Sequence, residues 1–146
     1  MHLEAERKPA VTETVYGGGC LCGWIRYEAI GPANDPHTCS CRQCQRFSGA
    51  PTTVWVEFPR DGVCWTGPGQ EPSTFRSSDT TRRAFCQKCG SSIGAIDDAP
   101  TIELLIGGFD EADQAALRPR RHAFDDRKPG WWHVDTGPAD AGADEP

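Results

Sequence analysis

Cys39-Ser40-Cys41-Arg42-Gln43-Cys44 places three thiols within six residues, near enough along the chain to converge on one metal ion without help from distant segments. Two further pairs flank it, Cys20-Leu21-Cys22 on the N-terminal side and Cys86-Gln87-Lys88-Cys89 on the C-terminal side. Seven of the eight cysteines therefore stand in metal-ligand spacings, and Cys64 stands apart. Eight cysteines in a secreted chain would suggest four disulfides, whereas clustered pairs in a reducing compartment hold metal or carry thiol chemistry. The segment from Met1 to Pro9 has neither the basic start nor the apolar core of a secretory signal, so the expected location is cytoplasmic.

Composition narrows the partners. A chain of 146 residues suits one domain with its own core. The mean hydropathy is -0.56, and the most apolar run of the second half, Ile102 to Ile106, contains Glu103 and is too short to cross a bilayer. No membrane span is expected. A net charge of -6 and a pI near 5.1 give no attraction to phosphate backbones or anionic lipid, so nucleic acid is not an expected partner. One local basic group, Arg118, Arg120, Arg121, Arg127 and Lys128, is suited to a small anion. The expected organisation is a flexible tail over 1–14, a zinc domain over 15–134 and a disordered acidic tail over 135–146.

Local patterns point to a mostly β chain with few short helices. Glycines at 17, 18, 19 and 23 around the first cysteine pair suit tight turning about an ion, and alternation over Trp24 to Ala29 predicts a strand. Gly31 to Pro36 reads as loop. A short helix is expected over Arg42 to Ser48, ended by Gly49 and Pro51. Thr52 to Phe58 alternates with β-branched and aromatic residues, and a turn at Pro59-Arg60-Asp61-Gly62 leads to Val63 to Thr66, which is expected to pair with it. Further strands are expected at Ser73 to Arg76, Arg82 to Phe85, a central Thr101 to Ile106, Arg121 to Phe124 and Trp132 to Val134, with a helix or turn over Asp110 to Leu117.

Cys20, Cys22, Cys86 and Cys89 make two pairs far apart in sequence, the pattern of a closed four-thiolate structural zinc. Cys39, Cys41 and Cys44 are left as three ligands, which leaves a fourth position for water or substrate as catalytic zinc sites do. Closure of that site by Cys64, His37, His122 or His133 is the competing structural arrangement, and an iron-sulfur cluster is a further one. Arg42, Arg46, Arg82 and Arg83 are the cations nearest the cysteine motifs, although each is also an ordinary solvated arginine on sequence alone. Gln43, Ser48 and Gly49 offer hydrogen bonds to a peptide-like substrate, and Trp131 and Trp132 suit either a pocket wall or the core. No P-loop, dinucleotide fingerprint or Ser/His/Asp set is visible.

Gly18-Gly19-Cys20-Leu21-Cys22-Gly23, then Cys39 to Gly49, then Phe85-Cys86-Gln87-Lys88-Cys89-Gly90, in that order, resembles the glutathione-dependent formaldehyde-activating enzyme family, which also includes centromere protein V. His122 to Lys128, Pro129 and Trp131-Trp132 are similar to the family's closing segment. The resemblance spans about Val15 to Val134 and implies a small zinc-binding β-tent of short antiparallel sheets. It also implies two zincs per chain, with Cys39, Cys41 and Cys44 at the reactive one, and glutathione with an aldehyde as substrates. The activity carried over is carbon-sulfur bond formation or cleavage on S-(hydroxymethyl)glutathione or a related thiol adduct. The alternative is a non-catalytic zinc module that binds a protein partner or a thiol ligand. Ser40 stands where many relatives place His, and Gly130 separates Pro129 from Trp131. Exposed edge strands in so small a β domain are compatible with a homodimer.

Overall fold

The computed structural model describes residues 13–137. The expected mobile residues before 13 and most of the expected acidic tail lie outside that range. Ten strands follow in chain order: β1 (Val15–Gly19), β2 (Arg26–Ile30), β3 (Asn34–Cys39), β4 (Thr53–Pro59), β5 (Val63–Trp65), β6 (Ser73–Arg76), β7 (Thr81–Phe85), β8 (Ser92–Asp97), β9 (Thr101–Leu105) and β10 (His122–Ala123). One α-helix, α1 (Arg42–Ser48), interrupts them. A three-stranded sheet has the order β1-β2-β5, and a seven-stranded sheet the order β10-β3-β4-β9-β8-β7-β6. Every named pairing is antiparallel except that of β10 with β3. The protein is thus mostly β, and β9 is the middle strand of the larger sheet.

Alternation on β4 and β9 divides the interior into two parts. Val56, Phe58, Ile102 and Leu104 face the small sheet and join Tyr16, Tyr27, Ala29 and Val63 in the main core. Four aromatic rings tie this core together, with Tyr16 5.4 Å from Phe58 and Phe109 5.6 Å from Tyr27 in an edge-to-face arrangement. Trp55 points the other way and, with Cys39, Cys44 and Ala95, forms a second cluster on the outer face beneath α1. The three central thiols therefore sit on the large sheet's outer face, away from the main core.

Several expectations give way to tertiary structure. β4 and β5 do not form a hairpin: β4 pairs with β3 and β9, while β5 pairs with β2 in the other sheet. Between them a 3-10 turn at Arg60–Gly62 carries the chain from sheet to sheet, and Gly62 crosses so near Ile30 that a Cβ would lie 2.6 Å from the Ile30 carbonyl oxygen. Gly17–Gly19 are part of β1 rather than of a turn. At Gly18 a Cβ would meet the Gly108 carbonyl at 2.5 Å and the Tyr27 hydroxyl at 2.6 Å, so glycine here serves close strand packing. Between Asp110 and Leu117 only Ala115–Leu117 coils, as a 3-10 turn, and Trp132 to Val134 form no strand. The segment read as a loop from Gly31 to Pro36 already enters β3 at Asn34, with a register irregularity between Asn34 and His37.

The basic group near the C-terminal end is occupied internally. Arg121 grips Asp35 through two bonds of 3.0 and 2.7 Å, Arg127 pairs with Asp126, Lys128 with Asp125, and Arg118 donates to the Thr136 carbonyl. Among the described residues no helix is long and apolar enough to cross a membrane.

Candidate metal centres and the cavity beside them

Cys20 and Cys22 leave the end of β1, and Cys86 and Cys89 occupy the turn between β7 and β8. Their four sulfurs lie within 4.8 Å of one another, with Cys20 and Cys22 3.7 Å apart and Cys22 and Cys86 3.9 Å apart. Four thiolates at about 2.3 Å around a tetrahedral ion stand about 3.8 Å apart, so this set fits zinc. Backbone amides already point at the sulfurs: Ile25 at Cys20, and Lys88 and Cys89 at Cys86, at 3.3 to 3.4 Å. The hydroxyl and amide of Ser91 hold the Cys89 thiol down to about 5, which favours the thiolate a metal needs. Because one pair follows the small sheet and the other lies within the large one, an ion here would clamp the two sheets.

Cys39 ends β3, and Cys41 is the N-cap of α1, its sulfur accepting from the Cys44 amide at 3.4 Å. Cys44 lies in the first turn, facing inward. All three sulfurs lie within 4.8 Å of one another, so this set fits a metal held by three thiolates. Cys39 and Cys44 are buried and Cys41 is half-buried. The hydrogen bond from Cys39, with help from Arg83 and Thr53, holds the Cys44 thiol well below its ordinary value against the opposing effect of burial. The same contact and burial push Cys39 up. Among the described residues no fourth His, Cys, Asp or Glu joins this group. His37 Nδ1 lies 2.7 Å from the Asp35 carbonyl oxygen, His122 bonds the Thr38 hydroxyl, and Cys64 pairs with Glu28 in the small sheet.

The helix is set where its sequence signals put it. Gly49 adopts φ 76° and donates its amide to the Gln45 carbonyl, closing the C-terminus. Ser48 donates to the Cys44 carbonyl at 2.9 Å and accepts from Ala50, so both Ser48 and Gly49 are engaged in ending the helix. Arg42 donates to Gln45, whose amide nitrogen in turn reaches the carbonyls of Ser40 and Arg127. Gln45 carries no motif signal, yet it anchors the thiol loop to the C-terminal segment. Ser40, fully buried, bonds the Thr52 hydroxyl at 2.8 Å and His122 Nε2 at 3.4 Å, and Trp132 donates to Thr52 at 2.8 Å. Burial holds His122 below its ordinary value, so a neutral ring backs the loop. Trp131 is largely exposed.

Arg82 and Arg83 fall on opposite faces of β7, and only Arg83 reaches the thiols. Its Nη1 donates to Cys44 Sγ at 3.6 Å, Nη2 to Gln43 Oε1 at 3.2 Å and Nε to Ser77 Oγ at 3.3 Å. The guanidinium also stacks on Phe47 and Trp55, 5.4 and 5.7 Å from their ring centroids. Beyond it opens a cavity of about 360 Å³ bounded by Gln43, Arg46, Phe47, Phe75, Arg83 and Phe85, among others. Arg82 instead lines a separate cavity of about 400 Å³ between the sheets, with Arg60, Trp65 and Ile102, and neither thiol cluster borders it. The first cavity shares Arg83 with Cys44.

Residues 15–127 match the family model described as glutathione-dependent formaldehyde-activating enzyme. The chain belongs to this family. The fold also has a solved counterpart in a Rhodobacter sphaeroides protein, whose crystal structure superposes with a TM-score of 0.56 at 17% identity, covering 73% of this chain and 99% of that one. That likeness concerns the fold alone. No curated protein matches the sequence.

Proposed function

We propose that this member of the formaldehyde-activating family catalyses reversible carbon-sulfur bond formation between glutathione and an aldehyde at the Cys39, Cys41, Cys44 centre. The observation that carries the reading is the convergence of three thiols, unclosed by a fourth ligand among the described residues, with Arg83 touching Cys44 at the edge of a cavity. In the forward direction the thiol sulfur bonds the carbonyl carbon, the carbonyl π bond becomes a hydroxyl, and the thiol proton ends on that oxygen. Zinc held by the three cysteines would supply a site for a substrate sulfur as its thiolate.

The chain's own residues supply position and charge. Arg83 offsets the negative charge of the thiolates and fixes Cys44 against Trp55 and Phe47. Arg46, at the cavity rim, makes no ion pair among the described residues and suits a glutathione carboxylate. Gln43, held by Arg83, faces the same opening. Holding both reactants in one site is the source of rate, since juxtaposition replaces a bimolecular encounter. Cys20, Cys22, Cys86 and Cys89 would hold a structural zinc.

Two-dimensional exchange NMR on glutathione and its formaldehyde adduct tests this. Zinc-loaded protein is expected to accelerate exchange beyond the spontaneous rate, and Cys41→Ser is expected to lose the acceleration. A wild-type chain that leaves the spontaneous rate unchanged refutes catalysis on the formaldehyde adduct and points to another thiol adduct or to a binding module.

A further inference from the structure

The cavity beside the three thiols is built for something that neither glutathione nor formaldehyde brings. Three phenyl rings, Phe47, Phe75 and Phe85, line it, and Arg83, whose Nη1 donates to Cys44 Sγ, lines it as well and so joins the cavity to the thiol centre. Arg83 has its Nε and both terminal nitrogens committed, to Ser77, Cys44 and Gln43, so it acts as a partition between thiols and cavity rather than as a free cation. Phe75 is 67% exposed on β6, the edge strand of the large sheet, and stands opposite Arg83 in the strand register. Together with Phe47 and Phe85 it makes one apolar lining, the kind of surface that takes an apolar group. The arms of glutathione are polar and charged, and formaldehyde has no substituent on its single carbon.

Resting on the thiol-adduct reading above, we infer that the aldehyde component carries an apolar, preferably aromatic, substituent that lies in the Phe47, Phe75, Phe85 cavity while sulfur and carbonyl carbon meet at the thiols. The reaction keeps its balance: the S–C bond forms, the carbonyl becomes a hydroxyl, and the thiol proton moves to that oxygen, with no oxidant or reductant. Arg83 borders both parts: its Nη1 edge meets Cys44, where sulfur and carbonyl carbon would join, and the cavity that would take the substituent opens beside it. A cavity of about 360 Å³ lies within the size range of small-molecule sites and accommodates one ring.

Calorimetric titration of the full metal-loaded chain with S-benzylglutathione and S-methylglutathione tests the inference without relying on turnover. S-benzylglutathione is expected to bind at least about tenfold more tightly, the fold-change corresponding to burial of one ring. Phe75→Ser, a change at an exposed position that leaves the core intact, is expected to bring the ratio close to one, and Phe75→Leu to restore part of it. Binding of S-methylglutathione with no gain for the benzyl compound overturns the inference and leaves the glutathione reading standing. A benzyl preference that survives Phe75→Ser also overturns it. Failure of both probes to bind overturns the inference and the glutathione reading together.

Discussion

Glu103 sits in mid-β9, directly opposite Glu57 of β4 in the strand register and opposite Ala95 of β8. Burial, then Asp97, Glu57, Asp35 and Cys44, push its carboxyl from the ordinary 4.5 up to about 7. Arg83 stands one strand beyond Ala95 in the same register with its donors committed elsewhere, and Arg121, which feels the Glu103 charge, is held by Asp35. Below pH 4.5 the folded and unfolded chains both carry the proton and no penalty arises. Between 4.5 and about 7 the unfolded chain ionises first, so stability falls as pH rises, and above about 7 the loss is complete. That gap corresponds to about 3 kcal/mol, reduced to about 2 kcal/mol by partial solvent access.

Glu103→Gln removes the titration and keeps the shape. In denaturant unfolding of the metal-loaded chains, the stability of the variant minus that of the wild type is expected to grow by about 1 to 2 kcal/mol between pH 5.5 and pH 8.5. Taking the difference cancels the pH dependence of the thiolate sites, which both chains share. Glu57→Gln, which deletes the facing charge, is expected to give a smaller change of the same sign. A difference that is flat with pH would mean that Glu103 is already ionised at pH 5.5, and the account of the outer face would fail.

Three further outcomes are expected. Gly94→Ala sets a Cβ 2.3 Å from the Glu103 carbonyl oxygen in the middle of the sheet and is expected to cost about 3 kcal/mol in thermal or denaturant unfolding, whereas Gly107→Ala meets nothing within 4 Å and is expected to cost under about 0.5 kcal/mol. Cys86→Ser and Cys44→Ser are each expected to remove one metal equivalent by elemental analysis. The first should also cost about 3 kcal/mol or more by uncoupling the two sheets, and the second markedly less. Ser40→Ala removes two hydrogen bonds from this network, leaving Thr52 with Trp132 and His122 with Thr38, and is expected to lower stability by about 1 kcal/mol in the same assay.

What the sequence shows of this molecule depends on how local each signal is. The helix over Arg42–Ser48 is legible because its terminators, Gly49 and Pro51, lie within a few residues of it, while its cap at Cys41 carries no capping signal and is seen only in the structure. The two thiol groupings are legible for the same reason: each motif is a short turn whose spacing already limits where its sulfurs point. The pairing of β5 is not, because a turn such as Arg60–Gly62 reads alike whether it returns the chain to its own sheet or sends it to another. The deciding contact is with Ile30, thirty-two residues upstream. β10 has two residues and no period to detect. The choice of Arg83 over Arg82 required the register of β7, and the role of Phe75 required knowing that β6 is an edge. Its only sequence mark is a lone aromatic in the otherwise polar run Ser73–Arg76.

The two thiol groups differ in what surrounds them, and that difference supports the roles proposed for them beyond the count of ligands. Around Cys20, Cys22, Cys86 and Cys89 the chain supplies amides and a serine hydroxyl, fixed dipoles that stabilise thiolates, in a set whose four sulfurs complete a tetrahedron. Around Cys39, Cys41 and Cys44 it supplies a guanidinium held by three hydrogen bonds, a glutamine held by that guanidinium and an open cavity. Added to burial, the crowding of the acidic groups Glu57, Glu103 and Asp97 on the same face raises Glu103 to about 7, a repulsion that also opposes a second anionic ligand unless a cation stands beside it. Arg83 is the cation in contact with that centre. Replacing it by Lys would keep the charge but lose the planar stack on Phe47 and Trp55 and the three-way hydrogen bonding, so charge and partition are separable by one substitution. Arg83→Lys is expected to retain metal at the three-thiol centre by elemental analysis while losing the benzyl preference, and loss of the metal instead would show that the guanidinium serves the thiols alone.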